Sequence, residues 1–309
     1  MRNAFAAAIT ALAAADERVV LLSGDIGNRL FDTFRARFPD RFYNCGVAEA
    51  NMTGMAAGLA LCGLRPFTYT ITPFATTRVI EQIRVDICYH DVPAVIVGTG
   101  SGLSYASLGP THHSCEDVGL LRCFPNLTIL CPADAVEVGP ALTAALACPG
   151  PVYIRLGKKG EPVIHDSPPP FAVGKGIVVR EGTDVCLLGM GTTTAVALEA
   201  ARELASRGLS ARVVSMHTVK PLDEAFLADA FGRFRAVAVV EEHSVIGGLG
   251  SAVAEWRARH DGPQAPLVAC GTPDAFISAA GSQAWMREQC GLTGPAVAAK
   301  ILARLGNAP

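Results

Sequence analysis

Short β-branched runs alternate with Ala/Leu-rich stretches of helical length along almost the whole chain, and this constrains the fold most. Strands are expected at residues 19–23, 41–45, 66–71, 94–99, 128–131 and 152–155. Helices are expected between them, notably at 49–62, 75–89, 116–123 and 134–147. Strands that read as continuous apolar runs are buried on both faces, and helical crossovers make their neighbours parallel. The expected class is α/β. Met1–Ala15 opens the chain as an amphipathic helix, with Phe5, Ile9 and Leu12 at i, i+4 and i+7 and Asn3 as a possible cap. Its early Arg2 and small-residue run loosely mimic a signal peptide, but Asp16 and Glu17 close it before the strand-like VVLLSGD.

The pattern breaks once, at HDSPPPFAVGKG. Three consecutive prolines exclude helix and central strand and favour an extended connector. The alternation then restarts at 185–188, 195–206, 212–216, 236–240, 249–259 and 267–270. Two domains are expected, residues 1–165 and 177–309, joined by a Pro-rich linker at 166–176. Each is a mostly parallel sheet covered by helices. A length of 309 residues agrees with two domains.

Composition removes several function classes. Half of the chain is hydrophobic and only 17% is charged, which suits well-buried α/β domains. A net charge of −2 supplies no electrostatic pull toward nucleic acid or an anionic membrane surface. No apolar run is long enough to span a bilayer. The ten cysteines lie singly in apolar context with no C-x-x-C pair. They read as free, buried thiols of a cytoplasmic protein rather than as disulfides or metal ligands.

Three stretches can carry chemistry. In FYNCGVAEANMTGMAAGLALCG, Glu49 is surrounded by small and apolar residues. Desolvation would suit this carboxyl to proton transfer near neutrality; equally, a first-turn glutamate is favoured by the helix dipole. In GSGLSYASLGPTHHSCEDVG, a long Gly/Ser loop follows a strand and ends in His112 and His113. Loops at the carboxyl ends of parallel strands bind ligands in α/β proteins. Adjacent histidines cannot share a helix face, so an acid–base or polar role suits one of them better than a metal pair. In YTITPFATTRVIEQIRVDICY, Phe74 follows Pro73 and precedes Arg78. It is either a core aromatic or a stacking surface for a flat heterocycle.

Taken in order, these stretches resemble the C-terminal half of transketolase. They resemble more closely the pyrimidine-binding subunit of split, two-gene transketolases. GVAEANMTGMAAGLA, PFATTRVIEQIRVD, GPTHHSCEDVGLLR, PNLTILCPADAVE and GPVYIRLGKK carry the resemblance in the first domain. VKPLDE and VVEEHSVIGGLGSAVAE carry it in the second. The resemblance implies that Glu49 hydrogen-bonds N1′ of the aminopyrimidine of thiamine diphosphate and promotes its imino tautomer. It implies that Phe74 packs on that ring, that Arg78 belongs to the cofactor-binding set, and that Asp25 and Ile26 line the cofactor and the active-site rim. His112, and with it His113 and Lys158, would face the sugar, and the second domain would support assembly rather than chemistry.

Departures from the family pattern point to the substrate. Leu108 stands where an acidic residue usually contacts a substrate hydroxyl, and an apolar side chain cannot make that bond. Gly100 replaces an expected phosphate-contacting histidine, and Lys158 or Lys159 stands near the place of a phosphate-contacting arginine. A specialised or modified sugar, deoxy or nucleotide-linked, is expected. No diphosphate-metal motif is convincing: Gly24-Asp25-Ile26-Gly27 with Asn51 downstream is a poor match, so this chain is expected to hold no metal. An N-terminal diphosphate-binding subunit would hold the diphosphate and Mg²⁺ or Ca²⁺, in an α2β2 heterotetramer with active sites between subunits. The rival readings are a β subunit of a 2-oxo acid dehydrogenase, a 1-deoxyxylulose-phosphate-synthase-like acyloin enzyme, and a non-catalytic structural subunit.

Overall fold

The computed structural model describes residues 1–27 and 29–306. In chain order its strands are β1 (Val19–Ser23), β2 (Phe42–Asn44), β3 (Arg65–Ile71), β4 (Val95–Thr99), β5 (Thr128–Leu130), β6 (Val152–Leu156), β7 (Ile177–Arg180), β8 (Val185–Gly189), β9 (Ala211–Ser215), β10 (Thr218–Lys220), β11 (Ala236–Ser244) and β12 (Leu267–Thr272). They form two sheets, ordered β10-β5-β6-β4-β3-β1-β2 and β12-β11-β8-β9-β7. Every pairing is parallel except β10 with β5 and β7 with β9. Every residue of β1, β4, β6 and β8 is buried, as continuous apolar strands require.

Helices cover both sheets. The helix Arg2–Ala15 buries Phe5, Ile9 and Ala13. Its cap position is Met1, with no side-chain capping bond, so the expected Asn3 cap does not form. The helix expected at 75–89 is not continuous. A single turn at Thr72–Ala75 gives way to a 3₁₀ turn at Thr77–Val79, a short α turn at Ile80–Gln82 and a π-helical stretch at Ile83–Tyr89. The β-branched run Thr76, Thr77, Val79 and Ile80 disfavours regular helix, and the Thr76 hydroxyl bonds the Thr72 carbonyl at 2.7 Å. Four helices were not anticipated: Asp32–Arg37, Glu224–Arg233, Gln283–Gln289 and Gly294–Arg304. All ten cysteines are free, but Cys62 and Cys123 are exposed and Cys45, Cys115, Cys148 and Cys290 are half-buried, so the fully buried reading holds only for the rest. Among the described residues no helix is long and apolar enough to cross a membrane.

The two sheets are stitched together. Strand β10 lies beyond the Pro-rich connector in sequence yet closes the edge of the first sheet. Buried Arg155 bonds Asp117 at 2.8 and 3.2 Å, the Ser114 carbonyl at 3.0 Å and the Glu242 carbonyl at 3.0 Å. The Glu242 carboxylate accepts from Leu103 N at 2.6 Å and from Gln283 Nε2 at 2.9 Å, and pairs with Arg287. The loop of residues 100–114 is thereby held at both stems, where Gly102 and Ser114 bridge each other.

Candidate active site

The site forms beside the carboxyl ends of β1, β3 and β4. After β2 the chain turns through Gly46 (φ +69°) and enters the helix Glu49–Leu61 with Glu49 as its first residue. A Cβ on Gly24, just past β1, would come within 3.0 Å of Thr70 Oγ1 and 3.7 Å of Glu49 Cγ. The crowding explains why this position has no side chain. Glu49 is only 3% exposed. A buried carboxylate without a partner is costly, and here Arg78 Nη1 donates to Glu49 Oε2 at 3.0 Å.

Arg78 also lies over Phe74, with its Cζ 4.0 Å from the ring centre. Phe74 meets His112 edge to face, 5.4 Å between centres at 69°. The His112 ring is oriented by Thr111, whose Oγ1 is 2.9 Å from Nδ1. Glu49, Phe74, Arg78 and His112 thus converge from three crossovers, with Phe74 and Arg78 on the one between β3 and β4. Thr72 and Ser101, just past β3 and β4, join hydroxyl to hydroxyl at 2.8 Å.

The remaining expected residues are placed unequally. Leu108 ends the short 3₁₀ turn Ala106–Leu108 and is 51% exposed. Asp25 adopts φ 56° and accepts from Asn44 Nδ2 at 2.9 Å, and the Ile26 carbonyl accepts from Ser23 Oγ at 3.0 Å. This turn directly follows Gly24 and so borders Glu49. Lys158 Nζ sits 4.1 Å from the centre of the Tyr105 ring. His113 does not join the group around Phe74. It is buried, its Nε2 has no hydrogen-bond partner, and burial holds its basicity below the ordinary histidine range. With Cys115, Glu116, Thr272 and Phe276 it lines a separate cavity of about 330 Å³ between the domains. Two consecutive side chains leaving a turn face different spaces, so only one of the two histidines reaches Phe74.

Tyr105 was not foreseen. Its ring is buried, lies 6.0 Å from His112 and carries Lys158 on its face. Gly100 (φ +73°) explains its position: a Cβ there would lie 2.0 Å from Tyr105 Cε2. The missing side chain at 100 is filled by the tyrosine ring. No local pattern announces such a pair, because the contact depends on how the loop closes.

In chemical terms, the Glu49 carboxylate and the Phe74 face suit a flat, nitrogen-bearing ring with an N–H donor at its edge. A flat guanidinium already makes both contacts, which shows that the space and the donor–acceptor match are present. Among the described residues no three His, Cys, Asp or Glu side chains gather to hold a metal ion.

The family model for the transketolase pyrimidine-binding domain matches residues 1–161, and that for the transketolase C-terminal domain matches 174–297. The chain belongs to the transketolase family. It is 38% identical to the 6-deoxy-6-sulfo-D-fructose transketolase subunit SqwH of Clostridium sp. strain MSTE9, over 95% of this chain and 90% of that one. It is 39% identical to one of the subunits of the apulose-4-phosphate transketolase of Actinobacillus succinogenes, over 84% of this chain and 83% of that one. Its similarity to 1-deoxy-D-xylulose-5-phosphate synthase of Thermomicrobium roseum, 36% identical over 99% of this chain, covers only 49% of that enzyme. Among solved structures it matches a split-gene transketolase described as an inactive β4 tetramer, with TM-score 0.89, 38% identity and coverage of 100% and 98%. The Leishmania mexicana transketolase shares the fold at TM-score 0.82 and 22% identity, covering 100% of this chain and 46% of that one.

Proposed function

We propose that this chain is the pyrimidine-binding subunit of a heteromeric, thiamine diphosphate-dependent transketolase that moves a two-carbon ketol unit between sugars. The observation that carries the reading is the buried Glu49 carboxylate beside the Phe74 face, with His112 against that same ring. When bound, the cofactor supplies the electron sink for cleavage next to a carbonyl. Glu49 holds a proton at the pyrimidine N1′ edge, as the buried carboxylate that now accepts from Arg78. Phe74 orients the ring by stacking. His112, with its Nδ1 engaged by Thr111, presents its other nitrogen to the hydroxyls of the donor sugar, as a hydrogen-bonding or proton-accepting group. Asp25 and Ile26 shape the rim.

The substrate side of the proposal is a modified sugar. Leu108 offers an exposed apolar surface where a hydroxyl contact is usual, Gly100 offers no side chain, and Lys158 is laid on Tyr105. The relatives named for sulfofructose and apulose phosphate support a specialised substrate. A separate diphosphate-binding subunit would hold the diphosphate and Mg²⁺ or Ca²⁺, in an α2β2 heterotetramer. Val47, 74% exposed two residues before buried Glu49, supports a partner surface at this edge. The domain division at 1–165 and 177–309, and a cytoplasmic setting for ten unpaired thiols, belong to the same proposal.

The test is reconstitution with the diphosphate-binding partner, followed by assays with pyruvate and with phosphorylated, deoxy and sulfonated ketoses. Transfer of a ketol unit from a modified ketose, lost in Glu49→Gln with an unchanged melting temperature, is the expected result. Efficient turnover of xylulose 5-phosphate with ribose 5-phosphate would remove the specialised substrate. Full activity of Glu49→Gln would revive a structural role for this chain.

A further inference from the structure

The Arg78 guanidinium is flat and carries N–H donors on its edge. It donates to Glu49 at 3.0 Å and lies 4.0 Å from the centre of the Phe74 ring. Its side chain is 46% exposed whereas that of Glu49 is 3% exposed, so the arginine reaches in from solvent to cover a buried carboxylate. The two groups it uses are the same two that an aminopyrimidine needs: one carboxylate acceptor and one aromatic face. A guanidinium in contact with both leaves no room for a second flat group in the same place.

We propose that in the free chain Arg78 occupies the aminopyrimidine's place, and that the cofactor enters only as Arg78 leaves. The inference rests on the reading of Glu49 and Phe74 given above. It reverses the expectation that Arg78 binds the cofactor: the arginine competes for the groups that do. The arrangement has a physical purpose. A buried carboxylate left bare in an unassembled subunit would be costly, and a mobile cation on the surface satisfies it until the ligand arrives. The backbone permits the exchange, since Arg78 lies in the short 3₁₀ turn Thr77–Val79 rather than within a regular helix. The hold is also weak enough to be broken. A partly exposed ion pair and an exposed cation–π contact together amount to roughly a five- to tenfold effect on a competing equilibrium.

The full-length chain would be titrated with thiamine, which has the aminopyrimidine but no diphosphate, and binding followed by calorimetry or ligand-observed NMR. Arg78→Met removes the charge and keeps the length; Arg78→Lys keeps the charge and removes the flat face. Arg78→Met is expected to bind thiamine about five- to tenfold more tightly than the wild type, with Arg78→Lys between them. Adding Glu49→Gln to Arg78→Met should remove the gain. Thiamine binding by Arg78→Met that is equal to or weaker than wild type overturns the proposal. The cofactor reading is judged separately, by Glu49→Gln and Phe74→Ala: if neither alters thiamine binding, that reading fails, whatever Arg78→Met does.

Discussion

The rings of Phe74 and His112 meet edge to face at 5.4 Å, so one aromatic wall borders both the proposed cofactor position and the histidine proposed to face the sugar. His112→Phe keeps an aromatic edge against Phe74 but removes the imidazole nitrogens. It is expected to leave cofactor affinity nearly unchanged while turnover falls by about 10² to 10⁴. Phe74→Ala should do the opposite first, weakening cofactor binding by about tenfold with a smaller change in the chemical step. Cofactor titrations and steady-state rates on the reconstituted enzyme separate the two. Equal effects of both variants on cofactor affinity would break this assignment.

Leu108 offers the most direct change of substrate preference. It is half exposed, so Leu108→Asp should alter stability by no more than about 0.5 kcal/mol. It supplies a hydrogen-bonding group at the position proposed to meet the sugar. The kcat/KM ratio of a fully hydroxylated ketose over its deoxy counterpart should rise by at least about tenfold. A ratio that does not move means that Leu108 lies outside the sugar's reach.

Gly100 and Tyr105 should behave as one unit. An added methyl at 100 meets the tyrosine ring at 2.0 Å on a backbone with φ +73°. Gly100→Ala is expected to destabilise the chain by about 1–3 kcal/mol. In the Tyr105→Ala background the same Gly100→Ala change should cost less, leaving only the backbone strain. Denaturant melts of the four proteins give the coupling energy, and strict additivity would show that the ring is not the obstacle.

A pH-dependent tie holds the start of the connector. Asp134 caps the helix Ala135–Ala147 and also accepts from Ile164 N at 2.8 Å and from His165 N at 3.0 Å, with His165 Nδ1 at 3.3 Å. Burial opposes ionisation of Asp134, but the bonds from His165, Ile164 and Glu137 outweigh it and hold the carboxyl at about 2. The same Asp134 bond raises His165 above its usual 6.5, against burial and with help from Glu137. A depressed acid stabilises above its unfolded value of 3.8 and loses that contribution as pH falls toward about 2. A raised histidine stabilises fully below 6.5 and loses its contribution as pH climbs through the raised value. Melting temperature should therefore decline as pH climbs above 6.5 through the raised value, and His165→Gln should flatten that decline. Parallel wild-type and variant curves would show that the tie does not titrate in this range.

The sequence singles out Glu49, Phe74 and His112 because each belongs to a motif whose residues are close in the chain, and the fold brings the three side chains together. Arg78 was legible as a member of the site but not in its role, since only the fold sets its guanidinium on Phe74 and Glu49 together. His113 lines a different cavity from His112, because sequence adjacency says nothing about which way two neighbouring side chains leave a turn. Tyr105 was missed because its position follows from an absence at Gly100 that matters only when the loop is closed.

Periodicity determined the α/β class, because a strand buried on both faces must be apolar throughout and a parallel neighbour needs a crossover. Three consecutive prolines likewise mark a connector in the sequence. The edge strand β10 was decided only by the tertiary structure: three residues carry no readable period, and they pair with β5 because its edge would otherwise leave backbone groups unpaired. The clamp of Glu242 and Arg155 on the loop of residues 100–114 is of the same kind. Its contacts join residues far apart in the chain, and their energy exists only once both domains have folded and excluded water.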